Sequence, residues 1–249
     1  MINYNVIFDI GANTGVDGLA LAIFNPNIKI FAFEGNTKLL NIIKKNKKRI
    51  EKIINKKILN YEIINKAVSD YNGFSTFYIS HDSGLSSLNK FSNRNKFGDK
   101  FIKKQKIKVI TLELFCKKNK IQNICYMHSD TQGSDLKVMI GLKKFRNCVY
   151  KGILETLINT KIKRYAGESY FFQVKKKFKT WSFKIEKKVL NFNNLEYNVY
   201  YRNKNFIKNN SFINPNTNYN VRFFNRIIEN RLKLKDYIYI NYLKFKFNN

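Results

Sequence analysis

The stretch Val6-Ile-Phe-Asp-Ile-Gly-Ala-Asn-Thr-Gly15 restricts the fold of this chain more than any other. Apolar residues lead into Asp9, and then Gly11, Asn13 and Gly15 alternate with small residues. That order predicts a buried strand over 5–10, a tight turn, and a helix over 15–24. Glycines let backbone N–H groups approach a ligand closely, and a following helix N-terminus favours an anionic group. A second apolar run, Ile28-Lys-Ile-Phe-Ala-Phe33, ends on Glu34. An acid at the tip of a second parallel strand is placed to accept hydrogen bonds from ribose hydroxyls. The two segments together predict a nucleoside-containing cofactor at the carboxyl edge of a parallel sheet. Asp9, Gly11, Asn13, Gly15 and Glu34 are its expected contacts.

The spacing argues against a dinucleotide. That fingerprint is Gly-x-Gly-x-x-Gly, whereas Asn13 stands at its second glycine, and the glycines after Gly11 are Gly15 and Gly18. A side chain at the second position keeps a pyrophosphate off the backbone, which speaks against NAD and FAD. The form Asp-x-Gly-x-Asn-x-Gly is similar instead to the first motif of S-adenosylmethionine-dependent methyltransferases.

Further segments follow in a recognisable order. They are Phe33-Glu-Gly-Asn36, Asn65-Lys-Ala-Val-Ser-Asp70, Ser86-Ser87-Leu88, Ile110-Thr-Leu-Glu113, Ser129-Asp-Thr-Gln-Gly-Ser-Asp135 and Leu154-Glu155. This series resembles the FkbM family of methyltransferases over roughly residues 3–202. The resemblance implies an α/β, class I methyltransferase (Rossmann-like) fold. Its core would be a doubly wound seven-stranded, mostly parallel sheet with a terminal antiparallel hairpin. It also implies S-adenosyl-L-methionine as cofactor, with Ala67 and Val68 beside it, and methyl transfer to the oxygen of a sugar or polyketide hydroxyl. The chain departs from the family pattern at Gly35, where proline is usual, and at His128-Ser129-Asp130, where Lys-Ile-Asp is usual. Gln132 stands where the family has Glu or Gln.

Composition bounds the remaining classes. With 249 residues, 44% of them hydrophobic, the chain can bury a substantial core. It has no apolar run long enough to span a bilayer and does not open like a signal peptide, so a cytoplasmic location is expected. Cys116, Cys125 and Cys148 lack metal or redox spacing, and no metal site is expected. The formal charge of +30 would attract nucleic acid or an anionic membrane. The lysines are spread along the whole length in a chain rich in Asn, Ile, Tyr and Phe, as compositional drift would leave them. Weak anionic membrane or nucleic-acid contact through the basic surface is expected either way, and no stable protein partner is implied.

Alternating strands and helices predict a parallel α/β sheet. A lysine-rich helix is expected over 36–54, strands at 59–65, 124–129 and 149–155, and helices after Thr111 and over 134–142. Residues 74–79 read as a short antiparallel excursion, and 80–105 as a polar loop over the cofactor end. A final antiparallel pair, 181–185 with 197–201, would turn at Asn193-Asn194. The methyltransferase domain would thus span 1–202. Residues 203–249 form a basic, aromatic extension, read as packed on that domain rather than lying on a membrane.

Transfer of a methyl group from a sulfonium to oxygen requires alignment and removal of the hydroxyl proton. Tyr126, His128 and Asp130 share one strand parity, and Asp130 sits at the carboxyl end, where open α/β sheets bind ligands. Either His128 or Asp130 is the candidate base. In the alternative, Asp130 orients the methionine amine or the acceptor and His128 is only packed. Gln132, Glu155 and Ser86 are the candidate contacts to a small-molecule or glycan acceptor. Two other functions compete. RNA ribose methylation usually uses a lysine ahead of the glycine motif, and none precedes Asp9. A non-catalytic basic module binding RNA or membrane would not need Asp9, Glu34 and Asp130.

Overall fold

The computed structural model describes residues 5–93, 99–158, 163–186, 196–208, 211–233, 236 and 239–244. The opening run forms β1 (Asn5–Ile10), buried from Val6 onward. Gly15 then adopts a left-handed φ of 81° and starts α1 (Val16–Phe24). β2 (Lys29–Phe33) leads into α2 (Thr37–Ile54), where the Asn36 side chain accepts the Lys38 N–H. Leu39, Ile43, Ile50 and Ile54 bury one stripe of α2 and its lysines face solvent, the pattern of an amphipathic surface helix. β3 (Tyr61–Ile64), β4 (Ala67–Val68), β5 (Gly73–Ser80) and β6 (Phe101–Ile110) follow. Thr111 then caps α3 (Leu112–Lys118) by accepting the Leu114 N–H. The remaining elements are β7 (Asn123–Ser129), α4 (Asp135–Ile140), β8 (Val149–Leu157), α5 (Phe171–Lys177), β9 (Trp181–Ile185), β10 (Glu196–Asn203) and α6 (Val221–Ile228).

The main sheet has seven strands in the order β3-β2-β1-β7-β8-β10-β9. The first five run parallel, and β10 is antiparallel to both β8 and β9. Strand order reverses between β1 and β7, which opens a crevice at their carboxyl ends. Each face carries its own core. Phe8, Phe33, Met127, Leu154 and Val199 pack beneath α3, α4 and α5. Ile7, Ile30 and Cys125 pack beneath α1, α2 and α6, where Phe223, Phe224 and Ile227 are buried. Residues of the C-terminal segment thus complete the second core.

Residues 80–105 are not simply a loop. β6 starts at Phe101 and pairs antiparallel with β5, placing Phe74, Thr76 and Tyr78 opposite Lys108, Lys106 and Lys104. With β4 they form a second, three-stranded sheet. Its outer face is solvated, so lysines stand where a buried strand would show apolar residues, and the alternation is hidden. Between Val6 and Ile7 the β1–β7 register shifts, so that Cys125 and Tyr126 both belong to the second core. The expected turn at Asn193-Asn194 lies outside the described residues.

Candidate active site

The glycine turn closes against the tips of both neighbouring strands. The N–H groups of Gly11 and Ala12 donate to the Phe33 carbonyl at 2.9 and 3.0 Å. Gly11 has φ 82°, and a Cβ there would stand 1.8 Å from the Asp130 carbonyl oxygen. Only glycine therefore lets β1 and β7 end so close together. Asn13, also left-handed at φ 49°, donates its N–H to Glu34 Oε2 at 2.7 Å. The Asn36 N–H donates to Oε1 at 2.6 Å. Burial raises the Glu34 pKa to about 7, while those two N–H groups pull it down.

A slot opens between these tips and the second sheet. Gly11, Asn13, Glu34, Ala67, Val68, Ser86, Asp130 and Gln132, all expected at the site, line it. Phe33 and Leu88, from the quoted motifs, and Phe77, from outside them, supply apolar walls. Phe77 packs against Gly35, where a Cβ would lie 2.7 Å from the ring, so the glycine in place of the family's proline makes room for this wall. A 3₁₀ turn at Ser83–Leu85 lies along the slot, and Ser83 Oγ donates to Asn13 Oδ1 at 3.4 Å. The slot is narrow, with a cavity volume of about 50 Å³.

The other expected residues stand elsewhere. Asp9 is buried behind the turn, with Oδ1 2.9 Å from His128 Nδ1. Gly15 packs on Ile43 and Tyr61. His128 and Glu155 line a separate groove of about 780 Å³ on the α1 face of β7, β8, β9 and β10. Burial alone would lower the His128 pKa, but the Asp9 hydrogen bond and the charges of Asp17, Asp9 and Asp130 raise it to about 10. Burial raises the Asp9 pKa as well, and the direction of the His128 shift favours an imidazolium facing the Asp9 carboxylate at neutral pH.

Asp130 lines both the slot and the groove. Gln132, left-handed at φ 53°, donates from Nε2 to Asp130 Oδ1 at 2.7 Å and to Glu155 Oε2 at 3.3 Å. The Tyr165 hydroxyl lies 2.9 Å from Gln132 Oε1 and 3.0 Å from the Leu85 carbonyl oxygen. The 3₁₀ turn, Gln132 and the two carboxylates thus form one connected network. No motif pointed to Tyr165.

The Methyltransferase FkbM domain profile matches residues 9–185, which include the turn, both strand tips and the Asp130 segment. The chain belongs to the FkbM methyltransferase family. Its seven-stranded sheet is the class I methyltransferase-like α/β arrangement. A curated relative is the ribosomal RNA small subunit methyltransferase G of Mycoplasma mycoides subsp. mycoides SC. It is 37% identical over 68 residues, 27% of this chain and 45% of the relative, so the chain spans under half of that relative's length. Among solved structures, an FkbM methyltransferase from Methylobacillus flagellatus KT superposes with TM-score 0.48 and 9% identity, covering 78% of this chain and 42% of that one. M. capricolum TrmK, in complex with S-adenosylhomocysteine, superposes with TM-score 0.44 and 17% identity, covering 85% and 68%.

The residues around the slot fit S-adenosylmethionine, the cofactor that the family resemblance implies. Glu34 is a carboxylate acceptor suited to ribose hydroxyls, and Phe33, Val68, Phe77 and Leu88 suit an adenine ring. The close backbone approach at Gly11 leaves no side chain between the turn and Asp130.

Proposed function

We propose that the chain is an O-methyltransferase acting on a hydroxyl of a sugar- or glycan-type acceptor, on a Rossmann-like scaffold. One observation carries this reading: Asp130 borders both the apolar slot and the polar groove, so a hydroxyl entering from the groove meets it at the rim of the slot. S-adenosylmethionine, when bound, supplies an electrophilic methyl group. The chain's own part is to hold the hydroxyl and remove its proton. Gln132 engages Asp130 Oδ1, leaving Oδ2 to accept that proton as the base. Glu155, tied to the same amide, accepts a neighbouring hydroxyl. The Asp9–His128 pair ties the two strands together behind the turn, and although His128 lines the groove, its raised pKa makes it the weaker candidate base. No helix among the described residues is long and apolar enough to cross a membrane.

A methylation assay with sugar acceptors tests the reading. Asp130→Asn should lower kcat about 10²-fold or more while leaving S-adenosylmethionine affinity near wild type. Full activity in that variant would remove Asp130 as the base. The competing activity is methylation of RNA, favoured by the short match to a ribosomal RNA methyltransferase. Transfer to RNA but to no sugar acceptor would overturn the sugar assignment.

A further inference from the structure

The sheet register sorts the charges of the groove by position. At its inner end Lys151 of β8 lies directly opposite Arg202 of β10 and beside Tyr126 of β7. Two residues along, Ile153 pairs with Tyr200 and with His128, and Tyr200 faces Lys184 of β9. Two further along, at the rim, Glu155 pairs with Asn198, whose side-chain amide donates to Glu186 at 2.8 Å. Asp130 joins this end through Gln132. Along the sheet register one end is thus cationic and the other carboxylate-rich, four strand residues or about 13 Å apart, with Lys184 between them and Asp17 of α1, bonded to the Tyr219 hydroxyl, also lining the groove.

The cationic end is not explained by folding. Like charges directly opposite on neighbouring strands destabilise a sheet. Among the described residues neither Lys151 nor Arg202 is paired with a carboxylate. The Lys151 ammonium lies 3.5 Å from the Pro215 carbonyl oxygen and 5.8 Å from the centre of the Tyr150 ring, which the Arg202 guanidinium approaches at 5.1 Å. Burial and the Arg202 charge lower the Lys151 pKa, the mark of a cation short of counter-charge. Two adjacent cations, one a planar fork and one a point charge, match a group carrying more than one negative charge. The rim carboxylates match hydroxyls instead.

We propose that Lys151 and Arg202 form a phosphoryl-binding subsite, so that the acceptor is an elongated polyhydroxylated molecule carrying a phosphate or diphosphate. The phosphoryl group sits against these two cations while the reacting hydroxyl reaches Asp130. This deepens the O-methyltransferase reading and rests on it for the role of the rim. An RNA strand fits less well, because phosphates running along the groove would meet Asp130, Glu155 and Glu186 at its other end.

Calorimetric titration of the full chain with inorganic pyrophosphate tests the subsite, and a parallel titration with S-adenosylhomocysteine tests the cofactor slot. Lys151→Gln and Arg202→Gln should each weaken pyrophosphate binding about tenfold or more and leave S-adenosylhomocysteine binding unchanged. Lys106→Gln, on the second sheet, should change neither. Arg202 is exposed, so its variant remains informative if Lys151→Gln fails to fold. Competition by UDP-glucose would assign a soluble source of the phosphoryl group. Competition confined to phosphatidylcholine vesicles doped with a polyprenyl diphosphate would assign a lipid-borne one. The subsite is overturned if pyrophosphate does not bind while S-adenosylhomocysteine does. Equal weakening by Lys106→Gln would likewise reduce it to general surface charge. It also falls if a single-stranded oligoribonucleotide binds through Lys151 and Arg202 and pyrophosphate does not compete. Pyrophosphate binding without S-adenosylhomocysteine binding would uphold the subsite and sink the methyltransferase reading alone.

Discussion

The Asp9–His128 pair offers a test that needs no substrate. Its Oδ1–Nδ1 distance is 2.9 Å, with side chains 1% and 18% exposed. Raising an imidazole from 6.5 to about 10 corresponds to about 5 kcal/mol of preference for the charged form in the folded state. Removing one partner of a buried pair costs about 3–5 kcal/mol, because the other charge is left uncompensated. His128→Ala should therefore lose about that much stability at pH 7, and Asp9→Asn combined with His128→Gln should lose less. The pH dependence is sharper. Because the folded pKa lies above the unfolded one, the stabilisation is complete below pH 6.5 and is lost as pH rises through about 10. Between pH 8 and 9 the folded chain holds at least about one more proton at this pair than the unfolded chain does, because burial raises the Asp9 pKa too. The wild-type unfolding free energy should fall there by about 1.4 kcal/mol per pH unit more than that of the double variant. Glu34 and Asp135, raised by burial to about 7, have largely titrated below this window, and the comparison with the variant removes the cysteine background. Urea melts at pH 7, 8 and 9 measure the slope. Parallel slopes in wild type and double variant would show that His128 is not held protonated and would put it level with Asp130 as a candidate base.

Other outcomes follow from the slot. Gly11→Ala puts a Cβ 1.8 Å from the Asp130 carbonyl at a left-handed φ and should abolish S-adenosylhomocysteine binding by calorimetry; retained affinity would mean the turn plays no part in the slot. Glu34→Gln replaces one accepting oxygen by a donor facing an N–H group and should weaken cofactor binding about 10- to 100-fold. If the carboxylate form is the one that binds, wild-type affinity should also rise from pH 6 to pH 8, through the raised Glu34 pKa of about 7, and a flat profile would refute it. Tyr165→Phe removes the hydroxyl between Leu85 and Gln132 and should cost about 1 kcal/mol of stability in thermal melts. It should also lower kcat more than it raises KM for S-adenosylmethionine, since it loosens Gln132 and hence Asp130. An unchanged kcat would detach the turn from the carboxylates.

What could be read from the residues was local. The turn at Gly11, Asn13 and Gly15 was legible because left-handed backbone admits few residue types, and β1, β2 and Glu34 follow at short range. The slot-lining Gly11, Asn13 and Glu34 came from the same segments, and Ala67 and Val68 from the family resemblance. The Asp9–His128 pair was not legible, since its members are 119 residues apart and meet only through a β1–β7 register that contains an irregularity. β6 escaped because its solvated face carries lysines on alternate positions, and these read as loop. Tyr165 escaped because a lone aromatic after β8 gives no sign of the carbonyl and amide it joins. The groove depends on how β8, β10 and β9 align, which their own alternation does not state.

The family match ends at residue 185, yet β10 and residues 214–221, which wall the groove, lie beyond it. If the groove selects the acceptor as proposed, a later stretch of polypeptide shares that selection with Lys151 and Glu155 of the matched region. Change in the later stretch can retune which molecules are accepted while the earlier one stays untouched, so close kin sharing the opening motif need not share a substrate.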